Sequence, residues 1–206
     1  MIQAIPYRFR PFLRTDLPLV AGWLRTPEVV RWWGDPGEQE SLIAQDLDEP
    51  SMRQWIVEHE RRPFAYVQAY PAHAWPQPHL AHLPPGTKVI DAFIGEPAML
   101  GHGHGREFLR LLGEMLLAEG APVVAIDPAP DNRRARHAYA HAGFVEERVV
   151  ETEAGPAVLM LLRKPRSSSC TGGPCSLASG LATWCGRTKA SGGRKSVPCA
   201  VRTMMM

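Results

Sequence analysis

Between positions 97 and 117 the chain reads PAMLGHGHGREFLRLLGEMLL, with three glycines and two histidines in residues 101–105. Two chemistries suit that run. Glycines ahead of a helix leave several backbone N–H groups free at the positive end of the helix dipole, a place for an anion such as phosphate. His102 and His104, two apart, suit a metal ion if a third ligand arrives from elsewhere. The spacing G-x-G-x-G is neither the dinucleotide fingerprint G-x-G-x-x-G nor a P-loop, because no Gly-Lys-Ser/Thr follows. The other nearby histidines, His73, His79 and His82, occupy a proline-rich stretch with no recurring carboxylate–histidine spacing. The expectation is therefore solvent-exposed histidines and no metal.

The elements that must hold this run alternate in type. Apolar positions Phe108, Leu109, Leu111, Leu112, Met115 and Leu116 recur at helical spacing and turn residues 103–119 into a core-facing helix. Further helices are predicted over residues 15–24, 27–33, 38–47 and 131–142. Strands are predicted over residues 7–13, 54–59, 64–70, 88–95 and 123–127, and a final hairpin over 144–151 and 157–163. Glu60-Arg61-Arg62 reads as a hairpin turn. Residues 71–86, with five prolines and three histidines, read as a long surface loop. The pattern is an α/β (α+β) layer fold with strand–helix–strand–helix at its centre.

Charge divides the chain. All twenty-one acidic residues lie before position 165, against seventeen Lys and Arg, so residues 1–164 carry 17 − 21 = −4. Residues 165–206 hold six Lys or Arg, no acid, and all four cysteines, at 170, 175, 185 and 199. Rich in Ser and Gly and without periodicity, this tail is expected to be disordered, leaving one domain over 1–164. The spacing C-x4-C-x9-C-x13-C fits no zinc pattern well, and cytosolic thiols stay reduced. Six cations spread over forty-two residues with one aromatic make a poor nucleic-acid binder. No apolar run approaches the ~20 residues that span a bilayer, and the first residues lack a signal peptide's apolar core. No nucleic acid, no membrane and a cytoplasmic location are the expectations.

The segment IDPAPDNRRARHAYAHAGF, residues 126–144, brings the phosphate reading forward. It resembles the second cofactor motif of the GNAT superfamily of N-acetyltransferases: Asn132 opening a helix, Arg134-Ala135 one turn in, Tyr139 further along, Gly143-Phe144 closing it. The glycine run resembles that superfamily's pyrophosphate loop, with Met99 where Arg or Gln commonly begins it. Blocks RFRPF, VVRWWGDP, YVQAY, VIDAFIG, IDPAPDN and GPAVLM follow the order seen in aminoglycoside 6'-N-acetyltransferases. A related branch that acylates hydroxylysine-type amines in siderophore assembly shares several of them. A third alternative is a non-catalytic acyl-CoA-binding protein of the same fold.

The resemblance implies a central mixed, twisted sheet flanked by helices, with acetyl-CoA in a cleft between two splayed central strands. It implies a monomer or homodimer and a small polycationic amine as partner. For the cofactor it points to Phe93, Ile94, Leu100, Gly101, His102, Gly103, His104, Gly105, Arg106, Asn132, Ala135 and Tyr139. The strand amides near Phe93 and Ile94 would receive the thioester carbonyl. An amine attacking a thioester must lose a proton, and the sulfur leaves as thiolate. Asp91 matches the carboxylate beside the reacting amine, and Tyr139 can donate to the leaving thiolate. With an ordinary pKa of ~3.9 an Asp is a poor base for an ammonium, which favours orientation and attraction as its larger role. Trp32, Trp33, Gln68, Tyr70, Trp75, Asp91, Asp127 and Glu153 complete the expected substrate-binding set. Glu153 stands one position before Ala154, where the related enzymes carry Asp.

Overall fold

A computed structural model describes residues 6–164; the tail expected to be disordered lies outside the described residues. Seven strands form one sheet among them: β1 (Tyr7–Pro11), β2 (Arg53–His59), β3 (Arg62–Pro71), β4 (Lys88–Ile94), β5 (Val123–Ile126), β6 (Val145–Thr152) and β7 (Gly155–Arg163). Their order is β1-β2-β3-β4-β5-β7-β6. Glu60 and Arg61, both in the left-handed region at φ 50° and 66°, make the tight turn between β2 and β3.

Every pairing is antiparallel except β4 with β5. Parallel neighbours need a crossover, and α4 (His104–Ala118) supplies it. Phe108, Leu109, Leu112 and Leu116 of α4 are fully buried against Ala92, Ile94, Val124 and Ile126. Each such side chain contributes about 1.5–3 kcal/mol, enough to dock the helix whatever its N-terminal loop does. The second helix on this face is α5 (Arg133–His141).

Side chains alternate across a strand, so Tyr66 and Phe93 emerge on the opposite face. There α1 (Leu17–Leu24), α2 (Pro27–Trp33) and α3 (Pro36–Asp46) cover them with Trp23, Trp33 and Ile43. Pro at the first helical position recurs in α2 and α3, and Asp35 caps α3 through Glu38 N–H. A third cluster packs Trp75, Leu80 and Leu83 of the proline-rich loop on Tyr70, Val89 and Ala125. That loop is thus anchored rather than a loose excursion. Gly95, just past β4, has no Cβ because the Trp23 ring occupies that space, and the indole Nε1–H donates to Glu96 Oε1 at 2.8 Å.

Candidate active site

The ladder between β4 and β5 is short: Lys88 pairs with Val124 and Val89 with Ala125, and then the strands part. Two residues beyond the last pair, on the same face, stand Asp91 and Asp127. Both are buried, at 2% and 4% exposure, so neither ends a strand in solvent. Their repulsion is felt in the titration of Asp91, whose pKa is held well above the usual carboxylate range. Burial is the largest cause; the charges of Asp127 and of Asp46 at the end of α3 add to it, and a hydrogen bond from Gln68 opposes it. An Asp so raised is a better base than one at its ordinary value.

The register explains the partner. Gln68 lies opposite Asp91, and its Nε2–H donates to Asp91 Oδ2 at 3.0 Å. Gln68 is fully buried, so it is placed behind the carboxylate rather than in the set that lines an acceptor pocket. Asp127 meets a residue the sequence left in a loop. His79 Nε2 is 3.2 Å from Asp127 Oδ2, both side chains nearly sealed, although the imidazole is not aligned for a hydrogen bond. Burial raises the Asp127 pKa, and His79 opposes that rise. The expectation of a solvent-exposed His79 is corrected: Leu80 beside it is an anchor in the core and drags the imidazole inward.

Tyr139 packs on the α4 side of the sheet, while the carboxylates sit on the other. Its hydroxyl nonetheless feels both through the opening: burial first, then Asp91 and Asp127, push its pKa well above 10.0. It keeps its proton at any physiological pH.

The backbone edge of β4 can be assigned from its ends. Ala72 N–H donates to Thr87 O and Gly95 N–H to Phe64 O. Antiparallel residues alternate, so positions 89, 91 and 93 turn their N–H and C=O groups towards β3. Those of Ala92 and Ile94 face the gap. Phe93 is therefore corrected: its amide serves the ladder and its ring the core, 4.6 Å from Trp33, and Ala92 takes the place expected of it.

A cleft of about 370 Å³ continues the gap outward. Ile94, Leu100, Gly101, Gly103, His104, Gly105, Arg106 and Ala135 line it, joined by Met99, Arg134 and His137. Gly101 and Gly103 hold φ +82° and +84°, and a Cβ on either would meet nothing within 4 Å. The loop thus offers backbone, not side chains, to the cleft. Gly103 is the N-cap of α4 with no side-chain cap, so the first N–H groups of a fifteen-residue helix are left for a ligand. His102 is exposed and does not line the cleft. His104 is half-buried against Phe64, with Tyr7 Oη 2.7 Å from its Nδ1. Burial, then His59 and His102, lower its pKa, which makes it a neutral wall at pH 7 rather than a fixed cation. Among the described residues no group of three or more His, Cys, Asp or Glu is placed to hold a metal.

Across the cleft, Asn132 caps α5, its Oδ1 accepting from Ala135 N–H at 3.1 Å. It is 1% exposed, and its Nδ2 has no hydrogen-bond partner. A buried donor left so costs about 1–3 kcal/mol, and a ligand's carbonyl or phosphate would relieve it. The orphan donor, the open glycine backbone and the edge of Ala92 and Ile94 all fit the phosphate and amide groups of coenzyme A.

Four expected substrate contacts sit elsewhere. Trp33 is in the core, edge-on to Phe93 and Tyr66, because α2 turns its apolar face to the sheet. Trp75 and Tyr70, also expected at the substrate, are buried with their rings 5.5 Å apart, and Trp75 lines a recess formed by its own loop. Trp32 is half-buried under the Arg31 guanidinium and lines a shallow cleft with Asp131 and Asn132. Glu153 is exposed, in a recess of about 280 Å³ shared with Gln77, Glu151 and the Asp127 neighbour His79. Asp46 and Ala92 had not been singled out, Arg134 was named only within its motif, and His79 only as an exposed histidine. For His79 a proline-rich loop carries no periodic signal; for Ala92 only strand register supplies one.

The model of the acetyltransferase (GNAT) domain family matches residues 13–152. Aminoglycoside N(6')-acetyltransferase type 1 of Klebsiella pneumoniae is 31% identical over 161 residues, 71% of this chain and 77% of that protein. The aminoglycoside acetyltransferase AAC(6')-Ib, solved with coenzyme A and kanamycin, is 30% identical with a TM-score of 0.68, covering 77% of this chain and 95% of its own. The same enzyme solved with ribostamycin and coenzyme A gives a TM-score of 0.71 at 27% identity, over 80% of this chain and all of its own.

Proposed function

Because the chain belongs to the GNAT acetyltransferase family, we propose that it moves an acetyl group from acetyl-CoA to a primary amine of a polycationic aminosugar, the 6'-amine of an aminoglycoside. The observation that carries this reading is the pair of buried carboxylates, Asp91 and Asp127, at the mouth of the gap between β4 and β5. Acetyl-CoA supplies the activated thioester. The backbone of residues 101–105 and Asn132 hold its phosphates and pantetheine arm, and the Ala92 and Ile94 edge receives the carbonyl oxygen.

Asp91 accepts the proton that the ammonium must lose. The amine nitrogen then bonds to the carbonyl carbon, the carbon–sulfur bond breaks, and the second proton on the nitrogen passes to the departing thiolate, so that coenzyme A leaves as the thiol. Tyr139 is the donor aimed at the departing sulfur. With its pKa pushed above 10.0 and a thiol near 8.5, full proton transfer is uphill. Tyr139 therefore stabilises the thiolate by a hydrogen bond more than by surrendering its proton.

Asp127 binds the cationic amine, with Glu153 and Glu151 at the outer recess. Loss of a charge-assisted contact makes Asp127→Asn raise the amine KM about tenfold or more. It also removes a neighbouring negative charge, so the acidic limb of the Asp91-dependent rate moves to lower pH. Added salt should raise the amine KM of wild type and Asp127→Asn in similar proportion. Screening acts on the long-range field of the acidic body and little on a buried carboxylate. Steady-state kinetics at two ionic strengths checks this: an Asp127→Asn enzyme with an unchanged amine KM removes Asp127 from the substrate site.

A further inference from the structure

Behind Asp91 the polar groups form a line. Tyr66 and Gln68 leave β3 two residues apart and so share the face of Asp91. Tyr66 Oη–H donates to Gln68 Oε1 at 2.7 Å, and Gln68 Nε2–H donates to Asp91 Oδ2 at 3.0 Å. Tyr66 and Gln68 are fully buried. A carboxamide presents a donor at one end and an acceptor at the other. A carboxylate can only accept, so it takes the Nε2–H end, and the Tyr66 O–H on Oε1 satisfies and holds the other end; the reverse sets amide oxygen against carboxylate oxygen. The Tyr66 ring cannot swing away. It is stacked on Phe93 at 5.4 Å, with Phe12 and Trp33 against it edge-on.

Resting on the reading that Asp91 receives the amine's proton, we propose that Tyr66 is a positioning residue: its hydroxyl fixes the Gln68 amide, and through it the Asp91 carboxylate. Tyr66 itself meets no substrate. The link runs through the Gln68 amide, and that makes the inference separable from its role as a core aromatic.

Tyr66→Phe is the test, because it keeps the ring and removes only the hydroxyl. The expected result is a fall in kcat of about three- to tenfold, with the acetyl-CoA KM nearly unchanged. Tm should be lower by a few degrees, because the buried Gln68 Oε1 loses its donor. The charged and polar groups facing Asp91 are Gln68 from β3, Asp46 from α3 and Asp127 beyond β5, with Tyr139 of α5 sensing it. Only Gln68 lowers its pKa, so weakening that bond moves the acidic limb of kcat/KM to higher pH, opposite to Asp127→Asn. Gln68→Leu should move it the same way. Tyr66→Phe added to Gln68→Leu should then cost nothing more, since the hydroxyl has lost its target.

A Tyr66→Phe enzyme with wild-type kcat and pH profile overturns the proposal, as does full additivity in the double variant. Should Tyr66→Phe fail to fold, a Gln68→Leu enzyme with an unmoved acidic limb overturns it equally. If Asp91→Asn retains turnover, it is the reading of the site that falls.

Discussion

Asp91→Asn should lower turnover by about 10²-fold or more, the range for a positioned general base, while leaving the affinity for coenzyme A unchanged and raising Tm. The first effect follows from the charge: an amide of the same shape cannot take a proton from an ammonium. The second follows from placement, since Asp91 emerges on the face opposite α4, away from the glycine loop.

The third is a matter of sign. Asp91 has a folded-state pKa raised above its ordinary 3.8, chiefly by burial. The stability associated with it is complete below the unfolded pKa and is lost as pH rises through the folded value. At neutral pH the fold therefore carries a penalty for sealing beside Asp127 a carboxyl that is ionised in the unfolded chain, which Asn removes. Each kcal/mol recovered is worth about 2–4 °C in a chain of this size. Turnover, calorimetric melting at pH 5 and 8, and coenzyme A titration read the three separately. The Tm gain should be larger at pH 8. A loss of Tm together with activity would mean that Asp91 is structural.

Gly103→Val should raise the dissociation constant of coenzyme A at least tenfold, about 1.4 kcal/mol. Gly103 holds φ +84°, a conformation costing other residues about 1–2 kcal/mol, and worse for a β-branched side chain. Its absent Cβ points into open space, in a loop that lines the cleft, where the pyrophosphate is proposed to lie. Strain and obstruction act together. Because α4 is docked by Phe108, Leu109, Leu112 and Leu116, the fold survives. His102→Ala should bind coenzyme A nearly as wild type does, its side chain being outside the cleft. Isothermal titration of coenzyme A checks both. A Gly103→Val protein with wild-type affinity would displace the cofactor from this loop.

What could be read from the chain divides along physical lines. Residues 88–142 announce their elements because apolar spacing changes from two to 3.6 and back, and Gly101 and Gly103 announce the turn because few other residues tolerate it. Every strand and helix expected over 7–163 is present, with ends displaced by a few residues. The place of Asp91 and Asp127 at a common gap was legible once the resemblance supplied the strand order. Their burial was not, because a strand such as KVIDAFI reads alike whether one or both faces are covered. Gln68 came to the substrate set with the YVQAY block, which carries no register; the pairing across β3 and β4 turns it towards Asp91. Trp33 stood open between core and substrate, because an aromatic pair looks the same on a core face as in a sugar-binding cleft. His79 was out of reach, since only the anchoring of Leu80 brings that loop onto Asp127.

The central claim is acetyl transfer to an aminosugar amine, and the direct measurement is product analysis. Purified protein is incubated with acetyl-CoA and, separately, kanamycin and hydroxylysine, with thiol release followed in time and products read by mass and fragmentation. Kanamycin should gain one acetyl group at its 6'-amine, with thiol released in equal amount and faster than with hydroxylysine. Faster acetylation of hydroxylysine, or no thiol release with any amine, would contradict it.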